Sequence, residues 1–152
     1  MNTISKTTGI DMKILLSTLW IFVLFNIIFR DIHEFFRVGL LAEIMTGTVN
    51  SVQLTEQTML VAGIMMEIPI AMVLLSRVLP YRVNRWANII GGVIGIGFVI
   101  STEWHDLDDL FFAVIMAVTA VVIIWLAWRW PNPELIPDDK HPAARIDSQL
   151  WT

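Results

Sequence analysis

Glu67 is the strongest candidate for a chemical role in this sequence, because it is an ionisable group inside an apolar run. The run extends from Thr58 to Leu79 and carries no other charge before Arg77. A charged group at the centre of a bilayer costs about 2.5 kcal/mol or more, so such groups usually face a partner, a cavity or an ion path. We therefore predict that Glu67 points into the protein and binds a proton, a cation or a substrate amine.

Other polar side chains could share a pocket with this carboxyl. At a rise of about 1.5 Å per residue, Glu67 lies near the depth of Thr119, and Asn26 lies somewhat nearer the outer face. The predicted binding residues inside the membrane are Glu67, Asn26, Thr119 and Asn88. Alternatively, a protonated Glu67 only ties helices together through a hydrogen bond worth about 0.6 to 2 kcal/mol.

Histidine and acidic residues flank the apolar runs and form a weaker candidate site. Imidazole and carboxylate groups bind zinc, manganese or iron, and the candidate ligands are His33, His105, Asp31 and Glu103. Their spacing matches no defined metal motif. We therefore predict no cofactor, and the question of a metal stays open.

Several classes of enzyme are excluded by what the sequence lacks. It contains no cysteine, which excludes disulfides, thiolate nucleophiles and iron–sulfur clusters. It also has no Gly-rich phosphate loop, serine nucleophile elbow or zinc-protease helix motif. No catalytic residue is predicted, and a role other than catalysis is favoured. The few basic residues give no support for nucleic-acid binding.

Small residues and a proline indicate how the helices pack. Pro69 removes the amide that the Met65 carbonyl would otherwise bind, which predicts a kink close to Glu67. Gly91 and Gly95 lie on one face of a helix and permit close helix contact. We expect the second, third and fourth spans to pack tightly through such faces. Homodimerisation through the glycine face is the alternative.

Four apolar stretches must position these residues. Of the 152 residues, 56% are hydrophobic and 16% are charged, and a spanning helix needs roughly 20 apolar residues. The predicted spans are about 14–30, 58–79, 86–102 and 110–130. The sequence thus predicts an all-α bundle of four transmembrane helices in one domain, 1–130, followed by a flexible, proline-rich tail, 131–152.

Basic residues are distributed unevenly between the two sides of this topology. One side carries Arg30 and Arg37, and the other carries Lys6, Lys13, Arg77, Arg82, Arg85, Arg129, Lys140 and Arg145. The positive-inside rule then places both termini in the cytoplasm, with the protein in the cell (plasma or inner) membrane.

The segment between the first two spans has helical spacing but is too short to cross a bilayer. Apolar residues recur from Glu34 to Met45 at helical intervals. We predict a short helix along the outer membrane interface, ended by Gly47 and Asn50, with Thr55 capping the second span.

Three segments carry a resemblance to known proteins: Ser17–Phe22, Met66–Arg77 and Asn84–Asn88. Through them the chain resembles an uncharacterised family of prokaryotic four-span membrane proteins, and its layout is similar to that of DoxX-like proteins. The resemblance implies a four-helix integral membrane protein and carries no established activity. Some DoxX-like proteins are associated with quinone or thiol redox systems, but this chain has no thiol.

Three functional hypotheses follow. The leading one is a small binding or transport protein with a buried polar pocket centred on Glu67, which takes its ligand from the outer leaflet. The second is an accessory subunit of a larger membrane complex, in which Glu67 is a structural pin. The third is a membrane redox or lipid-modifying enzyme. The expected partners are the lipid bilayer and either a second copy of the chain or a larger complex.

Overall fold

The computed structural model describes residues 11–101 and 107–131. Four long helices make up most of this part of the chain. The elements are α1 (Met12–Glu34), α2 (Leu40–Thr46), β1 (Thr48–Val49), β2 (Val52–Gln53), α3 (Glu56–Val78), α4 (Tyr81–Ser101) and α5 (Leu107–Arg129). α1, α3, α4 and α5 are each long and apolar enough to cross a membrane. The predicted four-helix class is therefore confirmed. Of the predicted tail, 131–152, only Pro131 is among the described residues.

Local sequence signals fix where α1 and α3 begin and where α3 ends. The Asp11 side chain accepts a hydrogen bond from the Lys13 amide at the start of α1. Thr55 caps α3 as predicted, through reciprocal hydrogen bonds with Thr58. α3 ends at Val78 because Leu79 is extended, as expected for a residue that precedes a proline.

α4 begins five residues earlier than the predicted third span, at Tyr81 instead of Trp86. The prediction followed the apolar run and so assigned Asn84 and Arg85 to the connection. In the structure Pro80 ends the turn and its carbonyl accepts the Asn84 amide at 2.9 Å. The first turns of α4 are thus polar, which the end of a membrane helix tolerates.

The four long helices run antiparallel to their neighbours in the circular order α1, α3, α4, α5. Lys13 at the start of α1 donates to the Leu79 carbonyl after α3, at 2.7 Å. Arg30 near the end of α1 meets Asp109 at the start of α5, at 3.1 Å. We call the end that carries Lys13, Arg77, Arg82, Arg85 and Arg129 the basic end, and the other end the acidic end.

Glycines on α4 allow close packing on two sides. A Cβ atom on Gly91 would lie 3.1 Å from the Trp20 ring of α1. A Cβ on Gly92 would lie 2.6 Å from Ile124 of α5, which is closer than real Cβ contacts. Ile123, on the same turn of α5, is fully buried. Tight packing in this region therefore joins α4 to α1 and to α5.

The connection from α1 to α3 differs in part from the prediction. α1 continues to Glu34, and the short helix is confined to Leu40–Thr46. Gly47 ends it in the left-handed conformation, with φ of 76°. A small antiparallel hairpin then pairs Val49 with Val52. Asn50 thus does not end the helix but lies in the hairpin turn.

The hairpin was not predicted because its turn uses an uncommon backbone conformation. Asn50 and Ser51 have φ angles of 47° and 65°, as both central residues of a type I′ turn require. Asparagine adopts this conformation readily, whereas serine does so less often. Asn-Ser is therefore a weaker hairpin signal than Asn-Gly.

Arg37 holds this connection together. Its guanidinium donates to Glu34 at 2.6 Å and to both oxygens of Glu43 at 3.1 and 3.2 Å. The hydrogen bonds to Glu43 and then to Glu34 raise the pKa of Arg37 above its ordinary value. The end of α1 is thus linked to α2 by a charged side chain that stays protonated.

The contrast between two glycines of α4 tests the packing. Gly92→Ala forces Ile124 to move, and overpacking of this kind costs about 1–3 kcal/mol. Gly97→Ala is the control, because no atom lies within 4 Å of its Cβ position. We expect the first substitution to lower the unfolding midpoint in mild detergent and the second to keep or raise it. Equal effects would show that α4 and α5 do not pack in this way.

Candidate functional site

A buried hydrogen-bond network centred on Asn88 joins three helices near the basic end. The Asn88 carbonyl oxygen accepts from the Trp20 indole at 2.7 Å and from the Ser76 hydroxyl at 3.2 Å. Its amide donates to the Asn84 side chain at 2.7 Å. Asn84 in turn donates to the Ser76 carbonyl at 2.6 Å. α1, α3 and α4 are therefore linked by polar groups that are buried from lipid.

Further hydrogen bonds close the same end of the bundle. The Ser17 hydroxyl donates to the Val73 carbonyl at 2.8 Å and accepts from Arg77 at 3.0 Å. Tyr81 donates to the Trp130 carbonyl at 2.8 Å, which joins α4 to the end of α5. These bonds join all four long helices, so at the basic end the polar side chains hold the helices together.

An apolar cavity of about 270 Å³ lies between α3 and α4, and residues of α1 and α5 also line it. The two helices hydrogen-bond to each other near the basic end through Ser76, Asn84 and Asn88. The lining includes Val23, Ala62, Met65, Met66, Pro69, Ile94, Gly95, Phe98 and Met116.

The cavity opens towards the surroundings of the bundle between α3 and α4. Its exposed apolar lining residues are Ala62 and Met65 on α3 and Ile94 and Phe98 on α4. Its lining residues from α5, Met116 and Ala120, are buried. In a bilayer this opening would face lipid, so a molecule could enter it from the membrane.

Charged groups lie on the lining of the cavity at its acidic end. Arg30 and Asp31, at the end of α1, are both lining residues. Arg30 is engaged by Asp109, whose side chain is only 5% exposed. Asp31 makes no hydrogen bond or ion pair with any residue in the ranges 11–101 and 107–131. The cavity therefore has an apolar body and a carboxylate with free acceptor atoms at its rim.

Glu67 does not belong to this cavity, and the prediction that it points into the bundle is wrong. Its side chain is exposed on the outer face of α3. Pro69, two residues later, is buried and lines the cavity. Two residues correspond to about 200° around a helix, so these two side chains point in nearly opposite directions. This cavity is therefore not centred on Glu67.

The other polar residues predicted to bind a ligand have partners of their own. Asn26 donates to the Phe22 carbonyl at 2.8 Å, and Thr119 donates to the Ile115 carbonyl at 2.7 Å, each within its own helix. Asn88 belongs to the network at the basic end. The structure thus places these residues and Glu67 in separate surroundings, and a binding role for any of them stays a prediction.

The residues predicted to pack helices divide between two roles. Gly91 packs against Trp20 and also borders the cavity. Gly95 and Pro69 line the cavity, and no atom lies within 4 Å of a Cβ built on Gly95. Close helix contact is therefore seen at Gly91, whereas a Cβ on Gly95 would meet open space, and a packing role for Gly95 and Pro69 stays a prediction.

Half of the weak metal candidates can be located. His33 lies 3.8 Å from Asp108 and packs edge-on against Phe112, at 5.6 Å between ring centroids. Asp31 is at the cavity rim, and His105 and Glu103 lie outside the described residues. Within residues 11–101 and 107–131, no three histidine or acidic side chains are grouped as metal ligands would be.

Sequence reasoning missed the residues that close the basic end, Ser17, Trp20, Ser76 and Asn84. A signal was present, because Asn84 and Asn88 are four residues apart and so share a helix face. It was overlooked because Asn84 was placed outside the third span. The Arg30–Asp109 pair carried no comparable signal, since the two residues are 79 positions apart.

Comparison with known proteins identifies a family for this chain. Residues 7–137 match a family of unknown function, DUF6326. The chain belongs to this family. No curated protein and no solved structure matches the chain. Membership supports the predicted resemblance to an uncharacterised family, while the similarity to DoxX-like proteins stays a prediction.

The network predicts a large effect of Asn88→Leu on stability. This substitution removes the partner of the Trp20 indole, of the Ser76 hydroxyl and of the Asn84 side-chain oxygen, and unpaired buried groups cost about 1–3 kcal/mol each. Asn26→Leu is the control, because it breaks a bond within one helix. We expect Asn88→Leu to lower the unfolding midpoint in mild detergent well beyond the control. Similar midpoints would contradict the structural importance of the network.

Proposed function

We propose that this multi-pass membrane protein binds a small amphipathic molecule in the cavity between α3 and α4. The ligand's apolar part occupies the cavity, and its polar group lies beside Asp31. The observation that carries the proposal is the combination of an apolar cavity with an unpaired carboxylate at its rim. Binding sites for small molecules have this composition, mostly apolar with a few polar groups that fix orientation.

The size and charge of the cavity define the ligand class. At roughly 30 Å³ per heavy atom, the volume of a water molecule in the liquid, a cavity of about 270 Å³ holds about nine atoms. Arg30 forms an ion pair with Asp109 and also attracts the neighbouring Asp31. Two carboxylates thus face one guanidinium, which leaves one negative charge in excess at this end of the cavity. A short-chain amine satisfies both conditions, because it donates hydrogen bonds to a carboxylate and places a hydrocarbon chain in the cavity.

The proposal favours binding over complete transport by a single chain. The closed basic end leaves the cavity open between α3 and α4, on the acidic half of the bundle. Alternating access would require the hydrogen bonds around Asn88 to break. A transport function would thus require a larger assembly, in which several copies create the path.

We further propose that the basic end lies in the cytoplasm and that the membrane is the plasma or inner membrane. Five of the seven Lys and Arg residues of the described chain lie there, and two of them contact tryptophans. Arg85 lies 5.5 Å from the Trp128 ring and Arg129 lies 5.2 Å from the Trp125 ring. Basic and aromatic residues at one interface are typical of the cytoplasmic side. Ligand would then enter from the outer leaflet.

A second candidate function is that of a subunit in a larger membrane assembly. It is favoured by the position of Glu67, which lies on the outer face of α3 without a partner in the described chain. In this role Glu67 binds another polypeptide and does not bind a ligand of the cavity. The two functions use different faces of α3 and are therefore compatible.

Filling the cavity should abolish binding. Octylamine, with nine non-hydrogen atoms, is the probe, and its binding is measured by the rise in the unfolding midpoint in a lipid nanodisc. At ten times its Kd a ligand stabilises by about 1.4 kcal/mol, or roughly 4 °C for a protein of this size. We expect Gly95→Leu to eliminate this rise.

Gly97→Leu is the matched control for that substitution. Gly97 lies in the same helix with open space around its Cβ position, but it does not line the cavity. This variant should keep the full response to octylamine. If wild-type protein shows no rise, or if both variants lose it equally, the cavity is not the binding site.

The rim carboxylate should determine the preference for an amine. Asp31→Asn should weaken octylamine binding by up to about fivefold, as expected for a partly exposed ion pair. Binding of octanol, which has no charge, should change much less. Asp108→Asn removes a neighbouring charge that is outside the cavity and serves as control. Equal loss in the two variants would indicate a general effect of surface charge.

A further inference from the structure

Glu67 occupies the least favourable position that a carboxyl can have on α3. Eleven residues of the helix precede it and eleven follow it, so at 1.5 Å per residue it is about 16 Å from either end. A glutamate side chain is far too short to reach the interface from there. It makes no hydrogen bond or ion pair with any described residue. The single chain therefore leaves a carboxyl in the hydrocarbon.

The surface around Glu67 allows another helix to approach closely. Gly63 lies one turn before it and Ala71 one turn after it, on the same side of α3. No atom of the described chain lies within 4 Å of a Cβ built on Gly63. We call Gly63, Glu67 and Ala71 the α3 outer face. Small residues on either side of a polar group let two backbones come near enough for that group to bond across the contact.

The chemistry of the carboxyl indicates which partner fits. In hydrocarbon a carboxyl without a cation is neutral, and a protonated carboxyl has one O–H donor and further acceptor capacity. When two protonated carboxyls face each other, the O–H group of each donates to an oxygen of the other. α3 carries no other charged residue between Glu56 and Arg77. A two-fold axis parallel to the membrane normal brings the same residue of each copy to the same depth.

We infer that the α3 outer face is a symmetric interface between two copies of this chain, in which the two Glu67 carboxyls hydrogen-bond to each other across the axis. A second copy supplies a hydrogen-bond partner for Glu67 without any additional polar residue. A different protein would need a polar group at the same depth. The inference narrows the second candidate function to a homodimer and is independent of the ligand in the cavity.

Cross-linking through a single cysteine tests the interface directly, because the natural chain has none. A disulfide forms only where two Cα atoms come within about 7 Å. Gly63→Cys lies one turn from the proposed axis, where the two copies approach each other. Val118→Cys is the control, because Val118 is an exposed residue of α5, away from α3. Oxidation in native membranes should give a covalent dimer of the first variant and not of the second.

Substitutions of Glu67 in the Gly63→Cys chain then test the role of the carboxyl. Glu67→Gln keeps a group that both donates and accepts, so cross-linking should persist. Glu67→Leu removes the polar group and should lower the dimer association constant by on the order of tenfold. Since Glu67 is exposed in the single chain, the Leu variant should fold normally, which its monomer unfolding midpoint checks.

The inference is overturned if Gly63→Cys fails to form a dimer, if it cross-links no better than Val118→Cys, or if Glu67→Leu leaves the dimer unchanged. It is also overturned if the cross-linked product contains a different protein in place of a second copy. That last result would leave the second candidate function standing, and none of these results affects the binding of octylamine.

Discussion

The hydrogen bonds of Asn88 are the interaction on which the rest of the bundle depends. In a membrane, apolar side chains gain little by leaving lipid for protein, so buried polar groups and close packing hold helices together. Asn88 binds Trp20 of α1, Ser76 of α3 and Asn84 of its own helix. Three helices are thereby fixed at one end, and Tyr81 fixes the fourth through the Trp130 carbonyl.

This concentration of bonds at the basic end explains why a cavity is present at the other. The link from α4 to α5 continues through Gly92, and that from α1 to α5 through the Arg30–Asp109 pair. α3 and α4 have the least extensive contact of any two neighbouring long helices. The hydrogen bonds between them through Ser76, Asn84 and Asn88 lie near the basic end, and the cavity lies further along. An apolar gap in a membrane protein favours an apolar occupant.

The sequence predicted the number and approximate limits of the long helices because hydrophobicity over about 20 residues is a strong signal. The cap at Thr55 was predicted because a local rule governs it. The direction of the Glu67 side chain was not predicted, because the inward face of α3 is determined by which of its residues contact α1. Pro69, Met72 and Ser76 define that face, and Glu67 lies opposite. The cavity likewise depends on the separation of two helices, which no local pattern encodes.

Polar groups within the apolar helices separate into two kinds, and the separation bears on function. Ser17, Asn26, Ser76, Asn88 and Thr119 are buried and hydrogen-bonded. Ser17, Ser76 and Asn88 join different helices, whereas Asn26 and Thr119 bond within their own helices. Asp31 and Glu67 have exposed carboxyls without partners in the described chain. An unpaired carboxyl within an apolar helix is costly, which applies to Glu67. Asp31 lies near the end of α1, beside Arg30, which attracts it. Asp31 borders a cavity that can hold a small molecule, whereas Glu67 lies on a helix face that can meet another helix. The proposed ligand site and the proposed interface thus depend on two different carboxyls, on different sides of the bundle.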